Sequence, residues 1–124
     1  MKRYVQPLSD RQTTVITVPG LDFNSLQLEN LRIVRKFFAY AARRAVGSTV
    51  ILDTTPVITA GAGFLTEVHR LATRLAEREI QMIIAGNLSG LFRLVGWERR
   101  YRIYENLADA FFRVGSVKSG CGYR

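Results

Sequence analysis

The sequence predicts an α/β domain: a mixed, mostly parallel sheet covered by helices, in the order β-β-α-β-α-β-α-β-α. Three observations lead there. Short β-branched or apolar runs recur, at Thr13 to Val18 (TTVITV), Thr49 to Leu52 (TVIL) and Ile80 to Ala85 (IQMIIA). Between them lie segments whose apolar residues repeat at helical spacing. Strands that alternate with helices after an N-terminal hairpin need crossover connections, which set the strands parallel and the helices over the sheet.

Each element has its own warrant. Arg3 to Gln6 predicts a short first strand, and Ser9-Asp10-Arg11-Gln12 a turn. Thr13 to Val18 is β-branched throughout, which suits a pleated surface and restricts helical rotamers. Pro19-Gly20 ends that strand. Asn24, with Gln27 three residues on, is close to a capping-box pattern and predicts a helix start. Leu26, Leu31, Val34, Phe37, Phe38, Ala41 and Ala42 then form the buried stripe. Arg43 and Arg44 suit the last turn, where cations complement the helix dipole, and Gly47 suits the stop. Thr49 to Leu52 is uniformly apolar, as in a strand covered on both faces.

The second half repeats the alternation. Phe64 to Arg78 predicts a second helix, with Leu65, Val68, Ala72 and Leu75 inward and Arg70, Arg74, Glu77 and Arg78 outward. Ile80 to Ala85 predicts a buried strand, and the turn at residues 87–90 leads into a short helix through Val95, stopped by Gly96-Trp97. Tyr101 to Tyr104 predicts a last strand, and Asn106 caps a last helix over Leu107 to Arg113. The expected organisation is one domain over residues 1–114 and a Gly/Ser/Lys-rich flexible tail over residues 115–124.

Composition bounds the function. A chain of 124 residues buries enough surface for an ordinary core without staples. Its single cysteine, Cys121, excludes an intramolecular disulfide and lies in the tail, away from any base. The N-terminus lacks a signal peptide's apolar core, and no apolar run approaches a membrane span, so a cytoplasmic protein without membrane insertion is expected. The net charge is +8, but the arginines are scattered, with local density only at Arg43-Arg44 and residues 98–102. That pattern favours a solvated basic surface or an acidic protein partner over sequence-specific nucleic-acid binding. A nucleotide or nucleic-acid binder is suggested by charge alone.

Strand-to-helix loops at the C-terminal ends of parallel strands are where such folds carry function. One such loop is TTPVITAGAG, between Asp53 and Phe64. Order and spacing along the chain resemble the STAS domains of bacterial anti-sigma factor antagonists over about residues 3 to 113. The residues that carry the resemblance are Gly20-Leu21-Asp22 after the second strand, Val50 to Asp53, the helix Phe64 to Arg78, the segment LFRLVGW at Leu91 to Trp97, and Asp109-Ala110-Phe111.

What the resemblance implies is a non-catalytic regulator that sequesters a kinase-like anti-sigma factor by partner switching, without a cofactor. A homodimer is compatible with it. The implied partner surface is Asp22 and Asn24, the loop Thr59, Gly61, Ala62 and Gly63, and the first turns of the second helix with Thr66 and Arg70. The departure lies in that loop. The family's phosphorylated serine aligns with Ala62, its preceding aspartate with Gly61 and the next serine with Gly63. A methyl group cannot accept a phosphoryl group, so no phosphorylation is expected at Ala62. Thr59 and Thr66 carry the nearby hydroxyls. A second reading is a non-signalling STAS subunit of a lipid transporter or a scaffold assembly.

Other residues carry bland readings. The Gly/Ala cluster also suits a tight strand-to-helix loop, and Gly61-Ala62-Gly63 has no P-loop lysine after it. His69, beside Val68, reads as a structural or half-buried residue more than a catalytic one, and no second histidine or cysteine pair builds a metal site. Asp22 and Asp53 could share an edge for acid/base work, but in a basic chain they read as turn and cap residues. Trp97 reads as core more than as an exposed anchor.

Overall fold

A computed structural model of the chain describes residues 4–24 and 26–114. The expected tail with Cys121 lies outside the described residues, as does part of the first expected strand. The sheet has five strands in sequence order: β1 (Val5–Pro7), β2 (Thr13–Thr17), β3 (Thr49–Asp53), β4 (Gln81–Ala85) and β5 (Arg102–Tyr104). β1 pairs antiparallel with β2, and every later pair is parallel. The helices are α1 (Leu28–Arg44), α2 (Ala62–Glu77), α3 (Ser89–Leu94) and α4, at residues 107–114. A 3-10 turn at Trp97–Arg99 precedes β5. The β-β-α-β-α-β-α-β-α order is the one expected.

Registers follow the apolar pattern. Val50, Leu52, Met82 and Ile84 face α1 and α2 in the main core, whereas Val15, Ile51, Ile83 and Ala85 face the other way, onto Ala110 of α4. Both faces of β3 and β4 are therefore covered, which accounts for their uninterrupted apolar sequences. Gly86 ends β4 at φ +111°; a Cβ there would stand 2.5 Å from the Thr55 nitrogen and 2.9 Å from the Thr54 hydroxyl. The buried Thr54 hydroxyl donates to the Ala85 carbonyl at 2.9 Å and accepts from the Leu88 N–H at 3.2 Å, joining the ends of β3 and β4. Arg93 of α3 donates to the Ile103 carbonyl of β5 at 2.9 Å. Asn106 caps α4 as expected, accepting from the Asp109 N–H at 2.8 Å.

α1 and α2 pack side by side in one register. Leu31 meets Gly63, and Arg35 meets Glu67, each pair 32 residues apart in sequence and one helical turn from the next. A Cβ on Gly63 would lie 2.8 Å from a Leu31 methyl, so Gly63 lets the helices close at this point. Glu67 is 4% exposed, and its carboxylate accepts from Arg35 Nε at 3.1 Å and lies 3.0 Å from Arg35 Nη2. Phe64 stacks on Phe23 with centroids 4.8 Å apart and leans on Phe38. At the far end Arg78 donates to the Ala42 carbonyl.

Several expectations need correction. α1 starts at Leu28 and not at Asn24, because the Asn24 side chain is held in the preceding loop and no side-chain cap is formed at Gln27. Leu26, expected in the buried stripe, is 87% exposed. α2 starts two residues early, at Ala62. His69 is exposed and not half-buried, since Val68 and Leu71 hold the inward positions around it. Val68, Ala72 and Leu75 are buried and Leu65 is partly so, while Arg70 and Arg74 face solvent as expected. Trp97 packs partly buried against the core, its ring 5.0 Å from Phe92 and 5.3 Å from Tyr101.

Candidate functional site

The chain leaves β2 at Thr17 and β3 at Asp53 on the same edge of the sheet, and the two loops that follow are tied together. The Phe23 N–H donates to the Thr59 carbonyl at 2.9 Å, and the Gly61 N–H to the Phe23 carbonyl at 3.0 Å. This short parallel bridge, Phe23 against Ala60, continues the β2–β3 pairing beyond the strands. The buried Phe23 ring beneath it, stacked on Phe64, fixes both loops to the start of α2.

Asp22 is the polar centre of the edge. Its carboxylate accepts from the Thr59 hydroxyl, from the Asn24 N–H at 3.1 Å and from the Asn24 amide at 3.0 Å. Its backbone carbonyl accepts from Asn30 Nδ2 of α1 at 2.8 Å. Donation by the Thr59 hydroxyl first, then by the Asn24 N–H, holds the Asp22 carboxyl below the ordinary 3.8. Asp53 is buried and accepts from the Thr55 N–H at 3.0 Å. Each carboxylate is thus engaged within its own loop, and they form no acid/base pair.

Ala62 is the first residue of α2 and is exposed, with Gly61 as an extended N-cap lacking a side-chain bond. The first turn of α2 carries no acidic residue. The Thr66 hydroxyl, one turn on, donates back to the Ala62 carbonyl at 3.1 Å. The structure brings Asp22, Asn24, Thr59, Gly61, Ala62, Gly63 and Thr66 to one edge. Arg70 sits two turns along α2 and is 3.5 Å from the Glu67 carboxylate, so its guanidinium already has a partner.

Sequence reasoning missed the apolar side chains flanking this edge. Ile58, just before Thr59, is 70% exposed, and Leu28, at the start of α1, is 65% exposed. Leu26, in the loop before α1, is 87% exposed as well, so both loops and the start of α1 leave large apolar side chains uncovered. The signal available was weak: isolated apolar residues in loops, off the helical stripe. Among the described residues no group of His, Cys, Asp and Glu could hold a metal ion. None of the described helices is long and apolar enough to cross a membrane.

No protein-family model matches the sequence, and a search of curated proteins returns no match. Solved structures do match. A candidate anti-sigma factor antagonist from Thermotoga maritima superposes with a TM-score of 0.68 at 13% identity, covering 89% of this chain and 92% of that one. The Bacillus cell fate determinant SpoIIAA, in its phosphorylated form, superposes with a TM-score of 0.60 at 14% identity, covering 89% and 96%. At these identities the likeness is one of fold, and the fold of this chain is the STAS fold of the anti-sigma factor antagonists.

Proposed function

We propose that this protein is a non-catalytic regulator that binds an anti-sigma factor through the edge built by Asp22, Thr59 and the start of α2. The observation that carries the reading is the composition of that edge. Two loops tied by backbone hydrogen bonds present a small exposed residue, Ala62, at a helix start, and the same loops and the start of α1 also expose Leu26, Leu28 and Ile58. Burying one such leucine or isoleucine in a contact contributes roughly 1.5–3 kcal/mol. The similarity in fold to anti-sigma factor antagonists supports an anti-sigma factor as the class of partner, and the proposal takes it to be a kinase-like one.

The contact is a constitutive one in this reading. Ala62 offers no phosphoryl acceptor, and the Thr66 hydroxyl is turned onto its own helix. The Thr59 hydroxyl donates to Asp22, whose negative charge opposes a phosphate placed beside it. The experiment is affinity capture from the native cell, followed by binding of the purified partner to wild type and Ala62→Asp. A kinase-like anti-sigma partner that loses affinity for Ala62→Asp is the expected result. An unpaired charge buried in that contact should cost a few kcal/mol, on the order of a hundredfold in Kd. Capture of a transporter ATPase, or equal binding by Ala62→Asp, would transfer the reading to a non-signalling subunit. Stoichiometric phosphate on Thr59 or Thr66 after incubation with the partner and ATP would show a relocated switch.

A further inference from the structure

A second surface lies at the opposite end of the sheet. Two adjoining concavities open beside the first residues of β4 and β5, whereas Asp22 and Thr59 follow the last residues of β2 and β3. Parallel strands of five residues separate the two ends by about 16 Å. One concavity, about 540 Å³, is lined by Arg99, Arg100, Arg102 and Tyr104, with Glu98 as its one acid. The other, about 250 Å³, is apolar, lined by Ala72, Ala76, Ile80 and Met82. Gln81, Arg100 and Tyr101 belong to both and form the wall between them.

Several arginines elsewhere are already engaged. Arg35 and Arg70 hold Glu67, Arg78 holds a carbonyl of α1, and Arg93 holds the Ile103 carbonyl. The guanidinium groups of Arg99, Arg100 and Arg102 are exposed and make no ion pair or hydrogen bond with any described residue. Three unpaired planar forks around one concavity match carboxylates in geometry and charge. The compartment next to them is lined mainly by aliphatic groups, and a polyphosphate chain has no apolar part to place there. A peptide uses both halves: acidic side chains on one side, one aliphatic side chain on the other.

We propose that this two-part cleft docks an extended acidic segment of a partner protein, its carboxylates on Arg99, Arg100 and Arg102 and one apolar side chain over Ala76 and Met82. The site is independent of the Asp22–Thr59 edge, so both can be occupied together. Tyr101 closes the wall between the compartments, and its phenol is a hydrogen-bond donor for the segment.

The test is fluorescence anisotropy with a labelled Glu-Glu-Asp-Leu-Glu-Glu peptide, at near-physiological salt. Three controls run beside it: the same peptide with Gly for Leu, a single-stranded oligonucleotide, and phosphatidylserine vesicles. The full peptide should bind, and Gly for Leu should weaken it about tenfold. Arg100→Glu with Arg102→Glu should weaken it by at least about tenfold through charge reversal. Ala76→Gln, at an exposed helix position, should fill the apolar compartment and give the same affinity as the Gly peptide. Thermal melts of each variant separate lost binding from lost fold. Absence of peptide binding overturns the proposal. So does equal affinity of the Leu and Gly peptides, or stronger binding to the oligonucleotide or the vesicles, because either would reduce the cleft to undirected charge.

Discussion

Glu67 is the buried charge on which the α1–α2 contact turns, and removing its main partner has a calculable consequence. Arg35 Nη2 stands 3.0 Å from its oxygen. At an effective dielectric near 20 the gross attraction at that distance is about 5 kcal/mol, and in bulk water it would be about 1.4 kcal/mol. Arg35 is 55% exposed, so water screens much of the larger figure, and Arg70 at 3.5 Å remains as a second cation. Arg35→Met should therefore cost about 1–2 kcal/mol, and Glu67→Met a similar amount. With both positions changed to Met, neither charge is left unpaired, so the loss should be smaller than the sum of the single losses by about 1–2 kcal/mol. Urea unfolding followed by circular dichroism on the four proteins of the cycle measures this coupling. Losses that add within about 0.5 kcal/mol would refute the argument, because the pair would then behave as a surface ion pair.

Three further outcomes follow from the same contacts. Gly86→Ala should destabilise the fold by about 3 kcal/mol or more, since φ +111° strains any L side chain and its Cβ would collide with the Thr55 nitrogen; a midpoint shift worth less than about 1 kcal/mol in urea would contradict this. The lowered Asp22 pKa favours the folded state above the unfolded value near 3.8, and this contribution is lost as pH falls through the lower folded value. Thr59→Val removes the leading cause, so NMR titration should find Asp22 nearer 3.8, and an unmoved titration would rule out the Thr59 hydrogen bond as that cause. Ala62→Asp, harmful to docking, should leave the unfolding free energy within about 1 kcal/mol of wild type, because a carboxylate at a helix start is favourable. A larger loss in thermal or urea melts would mean the loop is strained by the substitution and the docking test must use another residue.

The alternation of elements was legible because β2, β3 and β4 are buried on both faces and their sequences say so without ambiguity. The inward face of α2 was legible for the same reason: Val68, Ala72 and Leu75 keep helical spacing. The start of α1 was not. Asn24 has the side chain of a cap, but Asp22 two residues earlier competes for it, and the winner depends on the Thr59 loop 37 residues away in sequence. Glu67 was equally opaque, since its partner is 32 residues distant and a glutamate amid arginines reads as surface. At the candidate edge, Asp22, Thr59 and Ala62 were found by position, whereas Ile58 and Leu28 were passed over because exposure is a property of the fold. Gly63 was read as loop chemistry and is explained by Leu31.

Arg93 reaching the Ile103 carbonyl has a consequence for assembly. β5 is the last strand of the sheet, and a carbonyl occupied by a guanidinium is withheld from any incoming strand. The opposite border, β1, contains Pro7, which has no N–H to give. Both borders of the sheet are therefore poor templates for backbone pairing. Chains crowded together should not lengthen one another's sheets into ribbons, and a dimer, where one forms, has to be made by side chains on helices and loops.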